Sequence, residues 1–230
     1  MRKKLVIFSG AGMSAESGIS TFRDSGGLWE KYAIEDVATP EAWRRNPNLV
    51  TDFYNQRRKQ IIETEPNEAH RIIAELEKNH DVVVITQNID DLHERAGSSS
   101  VMHLHGNIRF SKSSGPNQEK SYYYIDGWKL GPNDFCPNGF RLRPHVVWFG
   151  EDVPMYEKAI KKIESAEVFI VIGTSLQVYP AAGLIHYASG NADKWIIDPN
   201  VNEFSIPNTF QKINKLASEG MKDLFKWLVN

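Results

Sequence analysis

Four stretches of the chain are apolar almost without interruption: LVIF at 5–8, DVVVIT at 81–86, VFIVIG at 168–173 and KWII at 194–197. Short runs rich in Val and Ile, without polar alternation, predict strands buried on both faces, as in a parallel sheet. Between them the spacing becomes helical. In EPNEAHRIIAELEKNH, Ala69, Ile72, Ile73 and Leu76 fall on one face, and Asn67 is the predicted cap. MYEKAIKKIESA and the tail EGMKDLFKWLVN repeat that spacing. Strand and helix alternating in this way predict an α/β fold with a doubly wound, Rossmann-like parallel sheet.

Two stretches interrupt the alternation. Residues from about 29 to 65 read as helical and aromatic, and residues from about 108 to 144 are rich in Gly, Pro, Ser, Asn and Tyr with no sustained helical period. The expected organisation is a single domain over 1–230. Its core spans about 1–28, 66–107 and 145–230, and the two inserts build a small second lobe. Long inserts at strand ends are where substrate-handling parts usually sit.

Composition narrows the function classes. The 230 residues carry 27 Lys+Arg against 29 Asp+Glu, a net charge of -2. With no basic excess to release counterions, neither nucleic acid nor a membrane surface is an expected partner. Cys136 is the single cysteine, which excludes an internal disulfide and a cysteine-cluster zinc site within one chain. The apolar run at Leu5 to Phe8 is too short for a signal peptide or a membrane span, so a cytoplasmic protein is expected.

Three strand ends carry polar motifs. LVIFSGAGMSAESGISTFRD runs from a buried strand into Gly10-Ala11-Gly12, with a helix predicted near Ser14, a combination that brings backbone N–H groups to a pyrophosphate. The next glycine is Gly18, which breaks the usual dinucleotide spacing, and no acidic residue closes a second strand about twenty residues on. Ordinary hydride transfer is therefore disfavoured. TQNIDDLHERAG puts Gln87, Asn88 and Asp90 at a second strand end, and GTSLQVYPAAG puts Gly173, Thr174 and Ser175 at a third. In MHLHGN, His103 and His105 share a face of an extended segment. No third metal ligand stands nearby, and one histidine acting as a general base is the better expectation.

Together, GAGMSAESGISTFRD, TQNIDDLHERAG, HLHG, LRPHVVWFGE and GTSLQVYPAAG, in this order, resemble the sirtuins, NAD-dependent protein lysine deacylases, nearest the bacterial CobB-like type. The resemblance runs to about residue 183. It implies that Gly10, Ala11, Gly12, Phe22 and Arg23 surround the NAD pyrophosphate. Gln87, Asn88, Ile89 and Asp90 would hold the ribose and the nicotinamide carboxamide, and Gly173, Thr174 and Ser175 the adenosine end. Asp198, where relatives place an asparagine, would take the adenine ribose, with Ala217 near the adenine. The base falls on His105, which precedes the glycine, with Asn88 and Asp90 completing the catalytic set. Main-chain groups of Val147, Phe149 and Gly150 would pair with an extended acylated-lysine peptide. NAD would be consumed, giving nicotinamide, free lysine and O-acyl-ADP-ribose.

The acyl pocket has its own pattern. Val50, Phe53, Tyr54 and Ile61 follow one helical face, and Arg57 falls on the same stripe. A buried guanidinium needs a carboxylate, and an internal salt bridge or a snorkelling side chain would also satisfy it. Ala38 in VATP, with Tyr54 and Arg57, is similar to the sirtuin subclass that removes succinyl, malonyl and glutaryl groups. That likeness implies a carboxylate clamp, with deacetylation as a second activity.

One departure stands out. Sirtuins commonly carry four zinc-binding cysteines, whereas here FCPNG keeps one thiol and FSKSSGPNQ replaces the first pair. No metal is expected, and Tyr122, Tyr123, Tyr124, Ile125 and Trp128 are expected to form an aromatic mini-core in its place. Two rival functions fit the same scaffold: a mono-ADP-ribosyltransferase, and an NAD-sensing module without turnover. The Tyr54/Arg57 pair argues against the first, and His105, Asn88 and Asp90 against the second.

Overall fold

The computed structural model describes residues 2–20, 32–116 and 121–229. Six strands, β1 (Lys4–Ser9), β2 (Asp81–Thr86), β3 (Val101–His103), β7 (Val168–Ile172), β8 (Asp193–Ile197) and β9 (Gln211–Ile213), pair in the order β3-β2-β1-β7-β8-β9. Every pairing is parallel. All four predicted strands belong to this sheet. β3 and β9 have three residues each, too few for a hydrophobic period to reveal.

Strand alternation sends Leu5 and Ile7 to one face and Val6 and Phe8 to the other. The first face is covered by α5 (Glu68–Leu76) and α8 (Ala217–Leu228), through Ile73, Leu76, Met221 and Leu224. The second is covered by α7 (Tyr156–Glu164) and a 3-10 helix (Ala181–Tyr187), through Ile160, Ile163, Leu184 and Ile185. The doubly wound core is thus as expected. Asn67 caps α5 by accepting from Ala69 N and His70 N, while His70 Nδ1 accepts from Asn67 N. A histidine here closes the capping box that Glu or Gln usually closes.

The first insert contains α2 (Ile34–Val37), α3 (Pro40–Arg45) and α4 (Pro47–Glu63). Thr39 and Asn46 cap the latter two, each followed by proline at the first helical position. Val37, Ala42, Val50, Phe53 and Ile61 pack there against Leu92, Ile108 and Trp148. This cluster lies directly beside the strand ends, which is why the insert can shape a pocket.

The second sheet is antiparallel: β4 (Gly106–Ser113) lies between β5 (Tyr122–Tyr124) and β6 (Leu142–Val146). The expected aromatic mini-core is not what fills this lobe. Tyr122, Tyr124 and Trp128 are 46%, 59% and 42% exposed, and the buried cluster is Ile125, Leu130, Cys136 and Leu142 with Tyr123 against it. On a three-residue strand only alternate side chains face inward, so Tyr123 packs while its neighbours do not. Tyr122 instead stacks on His145, and Trp128 lies under Lys59.

A polar hub ties the lobe to α4. Arg58, fully buried, donates to Ile108 O (2.6 Å), Trp128 O (2.8 Å) and Asn55 Oδ1 (2.7 Å). Asn55 also bonds both backbone groups of Leu130. Among the described residues no helix is long and apolar enough to cross a membrane, and no group of three His, Cys, Asp or Glu is gathered as a metal site.

Candidate active site

The sheet order turns back between β1 and β7, and at such a switch point ligands bind beyond the carboxyl ends of the strands. The three polar motifs meet there. Gly10 N donates to Ile172 O (3.0 Å) and Gly12 N to Gly173 O (2.8 Å), locking the first motif onto the third. A Cβ on Gly10 would lie 2.6 Å from Thr174 Cβ, and one on Gly173 (φ +60°) would lie 2.2 Å from Met13 N. These glycines therefore serve the close packing of two loops. The expectation that their backbone N–H groups are free for a pyrophosphate needs correction at Gly10 and Gly12, since both are already used in this lock. Ala11 lies half-buried at the start of α1 (Gly12–Ala15). Phe22 and Arg23 lie outside the described residues.

Gln87 Nε2 donates to Thr174 Oγ1 (3.1 Å), bridging the ends of β2 and β7 across β1. Ser175 follows half-buried, and Asp198, largely buried at the end of β8, accepts from Asn200 N (2.9 Å). Ala217 is the first residue of α8 and packs into the core cluster. The next amide, Ser218 N, donates to Glu16 Oε2 (2.8 Å), so α1 and α8 are joined beside the same crevice.

A buried relay sits deeper. Asn88 Nδ2 donates to Ser14 Oγ (3.0 Å), and Ser14 Oγ donates to Asp90 Oδ2 (3.0 Å). Burial raises the Asp90 pKa; the Leu92 N–H, the Ser14 hydroxyl and the charge of His103 act against it. His105 Nδ1 lies 2.9 Å from Gln87 O, an acceptor, so this nitrogen carries the proton. Burial also lowers the His105 pKa, which favours the neutral ring and leaves the Nε2 lone pair as a base. Ile89 turns away, packing against the helical insert while its carbonyl accepts from Ile108 N (2.8 Å).

The first insert contributes Ala38, Tyr54 and Arg57, and the segment after β6 contributes Val147, Phe149 and Gly150. Tyr54 is buried, and its hydroxyl accepts from Trp148 Nε1 (3.1 Å), so its own proton points elsewhere. Burial pushes the phenol pKa well up, keeping it a donor. Arg57, 7% exposed, has its pKa lowered by burial, and the fields of Tyr54 and Asp90 support its charge. Ala38 is buried, and its carbonyl accepts from Phe149 N (3.0 Å). Val147 N donates to His105 O (2.9 Å). The N–H groups of Val147 and Phe149 are thus engaged inside the protein, which restricts their part in peptide pairing to their carbonyls. Gly150 is exposed at φ +90°.

Several site residues escaped sequence reasoning. Ser14 stood only as a helix start, although a serine facing two buried polar side chains is what joins Asn88 to Asp90. Asn55 and Arg58 were missed because α4 is buried on two sides, beyond the single stripe that a helical period detects. The tandem Arg57-Arg58 was the available signal, since one stripe cannot take both.

The donor set suits a dinucleotide: hydroxyls, amides and backbone at the switch point, and a carboxylate at the end of β8 for ribose hydroxyls. The Sir2 family model matches residues 10–180. An NAD-dependent protein deacylase of Bacteroides thetaiotaomicron is 50% identical over 232 residues, covering 99% of this chain and 98% of its own. A Sir2 homologue solved in complex with NAD superposes with a TM-score of 0.84 at 38% identity, covering 98% of this chain and 89% of the other. A Sir2 protein solved with a deacetylated p53 peptide and 3′-O-acetyl-ADP-ribose has a TM-score of 0.78 at 29% identity, covering 97% and 92%. Matched by the family model over most of its length, and by a curated deacylase over nearly all of it, the chain belongs to the Sir2 family.

Proposed function

We propose that the acyl pocket of this NAD-dependent protein deacylase is built for acyl chains that end in a carboxylate, with succinyl- and malonyl-lysine as the class of substrate. The observation that carries this is the pairing of Tyr54 and Arg57 on one turn of α4, both buried, with Tyr54 bonded to Trp148. The Tyr54 hydroxyl spends its acceptor on Trp148 and keeps a proton to donate. The Arg57 guanidinium offers a planar fork that fits a carboxylate through two hydrogen bonds. Ala38, buried in the same apolar cluster as Tyr54, is a small side chain there, which supports room for the acyl chain.

NAD, when bound, supplies the nicotinamide leaving group and the ribose carbon that takes the acyl oxygen. Around it, His105 Nε2 accepts the proton of a ribose hydroxyl, its tautomer fixed by Gln87 O. Asn88 and Asp90, coupled through Ser14, orient the ribose and carboxamide. Gln87, Thr174 and Asp198 hold the hydroxyls and phosphates further along, with Gly10, Ala11 and Ser175 lining the crevice. Carbonyls of Val147 and Phe149, with the backbone of Gly150, take the peptide as an added strand. With one water consumed as the acyl–lysine bond breaks, the products are free lysine, nicotinamide and O-acyl-ADP-ribose.

A paired assay tests this: one peptide is offered as succinyl-lysine and as acetyl-lysine, with mass spectrometry following nicotinamide, free lysine and O-acyl-ADP-ribose. A strong preference for succinyl is expected. A preference for acetyl would keep the enzyme class and return Arg57 to an internal electrostatic role opposite Asp90.

A further inference from the structure

Four successive carbonyls leave the end of β2, and segment 103–108 donates to each. Leu104 N bonds Thr86 O (2.9 Å), His105 Nδ1 bonds Gln87 O (2.9 Å), His103 Nδ1 bonds Asn88 O (3.1 Å) and Ile108 N bonds Ile89 O (2.8 Å). Two of the four donors are backbone and one belongs to the base. The remaining one, His103, has no part in the reaction described above.

Its second nitrogen fixes its charge. His103 Nε2 lies 2.7 Å from Glu94 Oε1 on α6 (Leu92–Arg95). A backbone carbonyl and a carboxylate both only accept, so both ring nitrogens donate and the ring is an imidazolium. Asn107 Nδ2, 3.2 Å from the same Nε2, is then a neighbour and not a bond partner. The negative groups facing the ring are Glu94 and Asp90, and together with the Asn88 carbonyl they raise its pKa despite burial. Burial chiefly lowers the pKa of His93 on α6 and of His145 on β6, with the His103 charge among the smaller causes.

We propose that His103 is a positioning residue of the deacylase: backed by Glu94, it pins the Asn88 carbonyl and so holds the Asn88–Ser14–Asp90 relay in register with His105. Its charge also favours the ionised form of Asp90. A neutral His103 ring keeps one N–H and can donate to the Asn88 carbonyl or to Glu94 but not to both, so loss of its proton loosens this two-sided clamp and activity falls as pH rises through the His103 pKa. The rising limb at lower pH belongs to His105, which must be neutral to act. The proposal rests on the assignment of Asn88, Asp90 and His105 to the NAD site.

The experiment compares wild type, Glu94→Gln and His103→Gln by nicotinamide release across pH, with kcat and KM for NAD and for acyl peptide determined separately. NMR titration of the His103 ring runs in parallel in the wild type and in Glu94→Gln. Glu94, 39% exposed in its side chain, tolerates the isosteric change. In Glu94→Gln the falling limb and the ring titration should move together to lower pH, by about one unit, with the rising limb unmoved. In His103→Gln the falling limb should disappear and kcat drop roughly 10-fold, with little change in KM for the acyl peptide. Folded variants that keep the wild-type profile would overturn the positioning role alone, as would a kinetic limb that stays put while the ring titration moves. Absence of nicotinamide release from wild type would overturn the site assignment beneath it, and the positioning role with it.

Discussion

His105, just past the end of β3, holds its Nδ1 2.9 Å from the carbonyl oxygen of Gln87, the residue that follows β2. The contact sets the tautomer, and burial sets the charge: together they leave a neutral ring with Nε2 free to take a proton.

His105→Ala should therefore retain NAD binding, measured by calorimetry, while deacylation falls on the order of 100-fold or more. The wild-type pH profile carries the same information. A lowered pKa means the base survives acidification further than an ordinary histidine, so the rising limb should have its midpoint below 6.5. Normal turnover in His105→Ala would remove it from the base role.

Arg57→Met separates clamp from scaffold. Methionine fills a similar volume along the stripe of α4 without the charge. Desuccinylation should fall at least roughly 100-fold, the worth of a two-pronged charge-assisted contact of about 3 kcal/mol. Deacetylation should fall by less than about 10-fold. Equal losses, read from kcat/KM on the two peptides, would make Arg57 structural.

The sheet was legible in the sequence because its strands are buried on both faces, and a short unbroken Val/Ile run suits a doubly covered strand better than a one-sided helix or a hairpin. The strand-end motifs were legible as polar residues directly after such runs. What escaped has a common cause. Ser14, His103 with Glu94, and Asn55 with Arg58 act through contacts between segments 9 to 76 residues apart, and no local period records those. The aromatic run at 122–128 misled for the opposite reason, because its composition suggested a core while alternation along β5 turned Tyr122 and Tyr124 outward.

The small lobe should hold without metal. Arg58, Asn55 and the Ile125–Leu130–Cys136–Leu142 cluster supply the anchoring, so a chelator should leave the melting temperature unchanged. Arg58→Met removes two buried hydrogen bonds and one partly buried one and should cost on the order of 3 kcal/mol. Hydrogen exchange should speed up first in β4 and around residue 130. One zinc per chain by metal analysis would overturn this account of the lobe.

Acid stability tests the buried histidine pair. His70 and His93 pack edge to face with ring centroids 4.8 Å apart, both inaccessible, and burial lowers the His70 pKa to about 3 and the His93 pKa well below its ordinary value. As pH falls below 6.5, the unfolded chain takes up protons that the folded chain refuses, so stability declines by up to about 1.4 kcal/mol per pH unit for each histidine. His70 also accepts from Asn67 N in the capping box, a task glutamine performs without titrating. His70→Gln should thus match the wild-type melting temperature near pH 7.5 and lose less of it between pH 6.5 and 4.5. Parallel declines in the two proteins would mean that His70 takes up its proton in the folded state, and that His93, bonded to Ser9 Oγ at 3.1 Å, carries the acid sensitivity with the other titrating groups.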